Sequence, residues 1–268
     1  MIKLKQLLKE DETDDEVKAI LKKDYPSFVK ALGDGIKDSK FVDAIKSLSD
    51  KLPVKAAAIK PAVKNLRPTQ NEVVMEKSLS FPLTNQFSAK QYLSGGIAAP
   101  KGQSIVTAGG GKYVIDGHHR WSQVYCLNPD TKIKAIDLPI KDPINALKST
   151  QMGIAVQLGK VPTAKGGQTN LFTVSEDVLK KYVTDTITDE VVSIFKKYGK
   201  GNTKEKIANY IWENVELLKQ NSKPVPNAPK RNIMPQTDDA PNFIKAAPHT
   251  DKVGESKNTK LLTLLSVK

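Results

Sequence analysis

The stretch Lys112-Tyr113-Val114-Ile115-Asp116-Gly117-His118-His119-Arg120-Trp121 decides how this chain reads. Tyr113 to Ile115 is a short apolar run of strand character, Asp116-Gly117 breaks it, and a helical pattern runs from His118 to Leu127 until Asn128-Pro129-Asp130 stops it. A strand bending sharply into a helix N-terminus leaves backbone N–H groups unpaired at the positive end of the helix dipole, and such an end binds anions. Two imidazoles and a guanidinium in that first turn, from His118, His119 and Arg120, suit it to a polyphosphate. Adjacent histidines on a regular helix cannot both face one metal as an i, i+4 pair does, so a zinc site on this pair alone is not expected.

Working outward, Gly109-Gly110-Gly111 separates a short strand at Ser104 to Thr107 from the strand at Tyr113, which predicts a hairpin. Gly111-Lys112 suggests a phosphate loop, but position 106 is Val where that motif needs Gly and position 113 is Tyr where it needs Ser or Thr. Further upstream, Ala58 to Leu66 reads as extended, and Arg67-Pro68 keeps it so because the residue before proline avoids the helical region. Thr69 can cap a following helix with Glu72 as the return partner of a capping box; a carboxylate at that place facing a polar cleft can equally serve as a general base. Downstream, Lys132 to Ile140 alternates as a strand, Pro143 to Met152 reads as a helix, and residues 153–171 read as a long connection.

The segment Tyr113 to Trp121 resembles the phosphate-binding motif of the ParB/sulfiredoxin-like superfamily, in the D-G-H-H-R version found in free-serine kinases and ParB-like nucleases. Pro68-Thr69-Gln70-Asn71-Glu72 resembles the second hallmark of that group, P-[ST]-Q-x-E, and the likeness spans roughly Lys55 to Ile140. The resemblance implies that Glu72 takes the proton from the acceptor hydroxyl. It implies that the turn Asp116, Gly117, His118, His119 and Arg120 holds the phosphates of a nucleoside di- or triphosphate, with Asp116 helping to place Mg2+. Arg67, Thr69 and Gln70 then join the phosphate-binding set. Such a division of labour is coherent, since phosphoryl transfer needs charge neutralisation and an activated nucleophile more than covalent help. Sulfiredoxin needs a cysteine inside its motif where this chain has His118, and the glutamate- and arginine-rich motif and downstream helix-turn-helix of partition-type ParB are not evident.

The flanks read as helical. Val17, Ile20, Leu21, Tyr25, Phe28, Val29 and Leu32 recur at three- and four-residue steps as one run up to Gly33-Asp34-Gly35, and Phe41, Ile45, Leu48 and Leu52 stripe a second helix from Ser39. Residues 172–198 read as one helical run, and Thr203 to Gln220 as the last helix, with Trp212 in its core stripe. Beyond 221, six prolines in under thirty residues preclude regular structure; within this tail Arg231 either folds back over the phosphates or belongs to an irregular basic tail. Asn258 to Lys268 reads as a short closing element. The expectation is an α+β protein: an N-terminal helical segment at 1–53, a small mixed-sheet ParB/sulfiredoxin-like core at 54–152, a loop and helical part at 153–220, and a largely irregular tail at 221–268.

Composition bounds the rest. At 268 residues, 39% hydrophobic and 26% charged, the chain has ordinary globular composition. One cysteine, Cys126, excludes an internal disulfide framework and a cysteine-built zinc site. The early apolar run is too short and too quickly followed by acid for a secretory leader, and nowhere do 18 apolar residues run together, so a cytoplasmic protein with no membrane partner is expected. The net charge of +13 comes almost wholly from lysine, with Arg67, Arg120 and Arg231 the only arginines. Scattered lysines read as solvated helix faces before they read as a nucleic-acid surface, and they make the three arginines more informative, because a planar fork is not replaced by lysine at a phosphate. Two function classes follow: a nucleotide-dependent phosphotransferase or nucleotidase acting on a small-molecule or nucleic-acid acceptor, and a ParB-like nucleic-acid-binding protein or nuclease. A non-enzymatic ligand-sensing or structural protein is the third.

Overall fold

The computed structural model describes residues 15–51, 56–161 and 168–234. Its centre is a mixed five-stranded sheet of order β1-β7-β4-β5-β2, formed by β1 (Ala57–Ile59), β2 (Arg67–Pro68), β4 (Ile105–Ala108), β5 (Tyr113–Asp116) and β7 (Ala135–Leu138). β4 and β5 form the expected antiparallel hairpin, while β2 lies parallel to β5 and β7 parallel to β4. A small parallel pair, β3 (Ile97–Ala98) and β6 (Lys132–Ile133), stands beside it.

Both faces of the sheet are covered, because successive strand residues point to opposite sides and both sets are apolar here. Val114, Ile105 and Ala135 enter one core, with α4 (Met75–Thr84), α5 (Gln86–Leu93), α6 (His118–Leu127), α8 (Glu176–Thr186), α9 (Asp189–Lys197) and α10 (Lys204–Asn221). Ile115, Val106 and Ile136 enter the other, with α1 (residues 15–22), α2 (Tyr25–Gly35), α3 (Ser39–Lys51) and α7 (Pro143–Leu158). The protein is thus α+β, a sheet between two helical layers.

Several boundaries differ from the sequence reading. The expected single helix through Val17 to Leu32 breaks at Lys23-Asp24, where Asp24 caps a new helix: its Oδ1 accepts the Ser27 N–H at 2.9 Å, and Pro26 sits in the first turn. Thr69 caps nothing. Its hydroxyl donates to the Val114 carbonyl at 2.7 Å, and the next helix starts only at Met75. α7 continues past Met152 to Leu158 and ends at left-handed Gly159, so it passes through the boundary expected between residues 152 and 153. The run at 172–198 divides at Ile187-Thr188 into α8 and α9. Trp212 is half-buried at the edge of its core, with the Lys219 ammonium 4.2 Å from the ring centroid. The side chain of Leu48, the placement of Leu52 and the element expected at 258–268 lie outside the described residues.

The N-terminal helices dock on the body of the same chain. α2 and α3 pack on α7, the buried Lys148 ammonium donates to the carbonyls of Leu21 and Lys23 at the end of α1, and the Tyr25 hydroxyl donates to Gln151 Oε1. Residues 222–234 run irregularly along the β2 edge, with one 3-10 turn at Arg231–Ile233; Val225 N–H bonds the Pro68 carbonyl and Asn71 N–H bonds the Pro229 carbonyl.

Candidate functional site

The β5–α6 turn opens into a cavity of about 540 Å³ walled by α4, α6, α7 and the 231–234 turn. Gly117 makes the bend with φ +88°; a Cβ there would come within 2.7 Å of Ile105 Cγ2 and 3.0 Å of Arg120 Nε, so both the backbone sign and the space demand glycine. No side chain caps α6 at Gly117 and no acidic residue occupies its first turn, which leaves the positive end of the helix facing the cavity.

Arg120 is held in place rather than swinging free. Its Nη1 donates to the Ser104 carbonyl at 2.6 Å and to Gln103 Oε1 at 3.2 Å, while Nη2 donates to Asp116 Oδ2 at 2.9 Å. The ion pair spans the turn, at 12% and 22% side-chain exposure, and fixes both groups in the cavity wall. His118 is buried, and its Nε2 accepts the Thr69 N–H at 3.2 Å. Burial first, then the neighbouring His119, Arg231 and Arg120, push its pKa down to about 3, so His118 is a neutral post tying the first motif to the second. His119 Nε2 accepts the Val74 N–H at 3.2 Å, which fastens α6 to the start of α4. Both histidines therefore spend a ring nitrogen on the backbone of the 69–74 segment.

The remaining expected residues divide. Gln70 and Arg231 line the cavity, and Arg231 is 6% exposed, so the tail does fold back over the turn. Glu72 and Thr69 are not among the lining residues; Glu72 Oε2 accepts the Arg231 N–H at 3.1 Å instead. Arg67 is not among the lining residues; it donates from Nε to the Lys223 carbonyl at 3.0 Å and from Nη2 to the Pro224 carbonyl at 3.1 Å. Its planar fork grips the tail. Cys126 is a buried thiol whose pKa burial pushes up to about 12.

Sequence reasoning missed Lys77 on α4, Gln123 on α6 and Thr150 and Gln151 on α7, all of which line the cavity. Gln123 was findable, since it lies one helical turn beyond His119 on the same face. Thr150-Gln151 left a weaker signal: they end a run of four consecutive polar residues, Lys148 to Gln151, within an otherwise largely apolar helix, all four buried.

Among the described residues, no group of three His, Cys, Asp or Glu is placed to hold a metal, and Asp116 is the single carboxylate lining the cavity. One carboxylate fits a Mg2+ that arrives with its nucleotide, because that ion commonly keeps its waters and takes most of its protein-site ligands from phosphate oxygens. Among the described residues no helix is long and apolar enough to cross a membrane. No family model, curated protein or solved structure matches this chain.

Proposed function

We propose that this protein is a nucleotide-dependent phosphotransferase or nucleotidase with a ParB/sulfiredoxin-like core, taking the phosphates of a magnesium nucleoside di- or triphosphate at the Asp116–Arg120 turn. One observation carries the reading: the uncapped N-terminus of α6 faces a cavity whose charged lining is Lys77, Arg120 and Arg231 against the lone carboxylate of Asp116. A cationic, partly enclosed cleft at a helix start supplies what a polyphosphate needs, and the 540 Å³ volume falls in the roughly 300–1,000 Å³ range of small-molecule sites. Asp116 is the residue that would help to hold Mg2+, which would supply charge neutralisation for the group being transferred.

Glu72 is placed here as a positioning residue for the wall that carries Arg231, in preference to the base role that the resemblance assigns it. The acceptor is a small-molecule hydroxyl, a nucleic acid or water. Binding of ADP, ATP, CTP and GTP with Mg2+ should be detectable by calorimetry, weakened at least about tenfold in Arg120→Gln and Lys77→Ala, and followed by product formation on the nucleotide that binds. Nucleotide binding indifferent to both substitutions would overturn the reading. Steeply salt-dependent DNA binding that ignores His118 and His119 would favour the ParB-like nucleic-acid protein, to which the +13 charge lends its support. Binding without turnover would favour the sensor.

A further inference from the structure

The α7 side of the cavity has a different chemistry from the turn. Gln123, Thr150 and Gln151 are 5%, 2% and 2% exposed, and Gln123 Oε1, Thr150 Oγ1 and Gln151 Nε2 are shut off from solvent without a hydrogen-bond partner in the protein. Buried polar atoms are normally paired, and three orphans on residues lining one cavity, two on α7 and one on α6, call for an explanation. The other ends of the two amides are fixed. Gln123 Nε2 donates to the Lys77 carbonyl at 3.1 Å, which leaves its oxygen as the acceptor on offer. Gln151 Oε1 accepts from the Tyr25 hydroxyl, which leaves its NH2 as the donor. Burial pushes the Tyr25 phenol well above its ordinary pKa, so it stays protonated and keeps that orientation. Thr150 adds a hydroxyl that gives or accepts.

Around Thr150 and Gln151 the lining that α7 supplies is apolar, from Leu147 and Ile154, and α7 contributes no charged side chain to it. A charged acceptor would lie there unpaired, whereas a flat neutral ring with donors and acceptors on its rim would satisfy the orphans and bury its faces. We infer that the α7 wall is a nucleobase-reading subsite, in which the Gln151 amide NH2 and the Thr150 hydroxyl meet the hydrogen-bonding edge of the base, with the Gln123 carbonyl oxygen offered to it from α6. The inference rests on the phosphate reading of the turn and names the part of the ligand that the turn does not hold. Its two α7 residues lie outside the stretch that carries the family resemblance. The N-terminal helices also gain a part in the site, since Tyr25 is a positioning residue that orients Gln151 from α2.

The test is equilibrium binding to the full chain of ATP, CTP, GTP, UTP and, as a ligand without a base, inorganic tripolyphosphate, each with Mg2+. The expected result is one nucleotide bound at least about tenfold more tightly than tripolyphosphate. Thr150→Val and Gln151→Met should bring that nucleotide to within roughly threefold of tripolyphosphate while leaving tripolyphosphate itself unchanged. Tyr25→Phe should flatten the preference among bases with the same indifference to tripolyphosphate. Thr150→Val guards against a folding artefact: it is close to isosteric and removes a hydroxyl that bonds nothing in the protein, so a merely structural threonine would give unchanged binding and equal or higher thermal stability. Nucleotides bound no better than tripolyphosphate, or a base preference intact in these variants, would overturn the subsite and leave the phosphate cradle standing. Failure of tripolyphosphate and all four nucleotides to bind would remove the cradle, and the subsite with it.

Discussion

The Oε2 of Glu72 accepts the backbone N–H of Arg231 at 3.1 Å, joining two positions 159 residues apart. Between them lie most of the sheet, α4 to α10 and all of the cavity lining except Gln70 and the 231–234 wall. Glu72→Ala should lower stability by about 1–2 kcal/mol and weaken nucleotide binding several-fold, because the Arg231 turn loses its anchor. Glu72→Gln keeps an oxygen acceptor and should retain binding and turnover. Loss of turnover with binding intact in that variant would return Glu72 to the role of base.

Arg67 holds the same segment through two carbonyls, those of Lys223 and Pro224. An ammonium has no planar fork to match them, so Arg67→Lys should cost about 1 kcal/mol and expose residues 222–234 to limited proteolysis while the core resists. Nucleotide affinity should fall in parallel, read by calorimetry on the same preparation. Unchanged protection would show that the other contacts of this segment suffice.

Gly117→Ala combines a φ of +88° with contacts of 2.7 Å to Ile105 and 3.0 Å to Arg120. Strain of about 1–3 kcal/mol follows from the backbone alone. Thermal melting should drop by roughly 2–4 °C for each kcal/mol in a chain of this size, and anion binding at the turn should fall with it because Arg120 must move.

His118 makes stability depend on pH in a definite direction. Its folded pKa, about 3, lies below the ordinary value of 6.5, so the folded state keeps it neutral while the unfolded state takes up a proton between those values. Stability from this group is therefore full above about pH 6.5 and is lost as pH falls toward 3. Melting temperatures at pH 7.5 and pH 5 should differ more for the native protein than for His118→Gln, whose amide oxygen still accepts the Thr69 N–H. Equal slopes would exclude His118 as the titrating group.

The β5–turn–α6 unit was legible because its signals are local: Asp-Gly ends the strand, and Asn-Pro ends the helix at Leu127, where the structure ends it. The hairpin before it was legible for the same reason, from three consecutive glycines, all of which have positive φ. Thr69 and Glu72 read as a capping box because the pattern is right, yet their partners are Val114 and Arg231, which only the folded sheet and tail bring near. The break at Asp24 carried a local signal, an N-cap followed by Pro26, that apolar periodicity concealed. Arg67 illustrates the converse. Its chemistry, a fork for two oxygens, was readable from scarcity, but the two oxygens that it meets are backbone carbonyls that only the folded tail brings near. Gln123, Thr150 and Gln151 form no motif along the chain; they converge because α6 and α7 border the same cavity.

The wall that carries Arg231 and Met234 is also the last part of the cavity to be synthesised. A ribosome delivers the turn, the histidines and α7 first, and domains begin to fold as they emerge. For that interval the nascent protein presents an open cradle with Glu72 still awaiting its distant partner. A chain stalled before residue 231 therefore has the other lining residues of the cavity but not its enclosure.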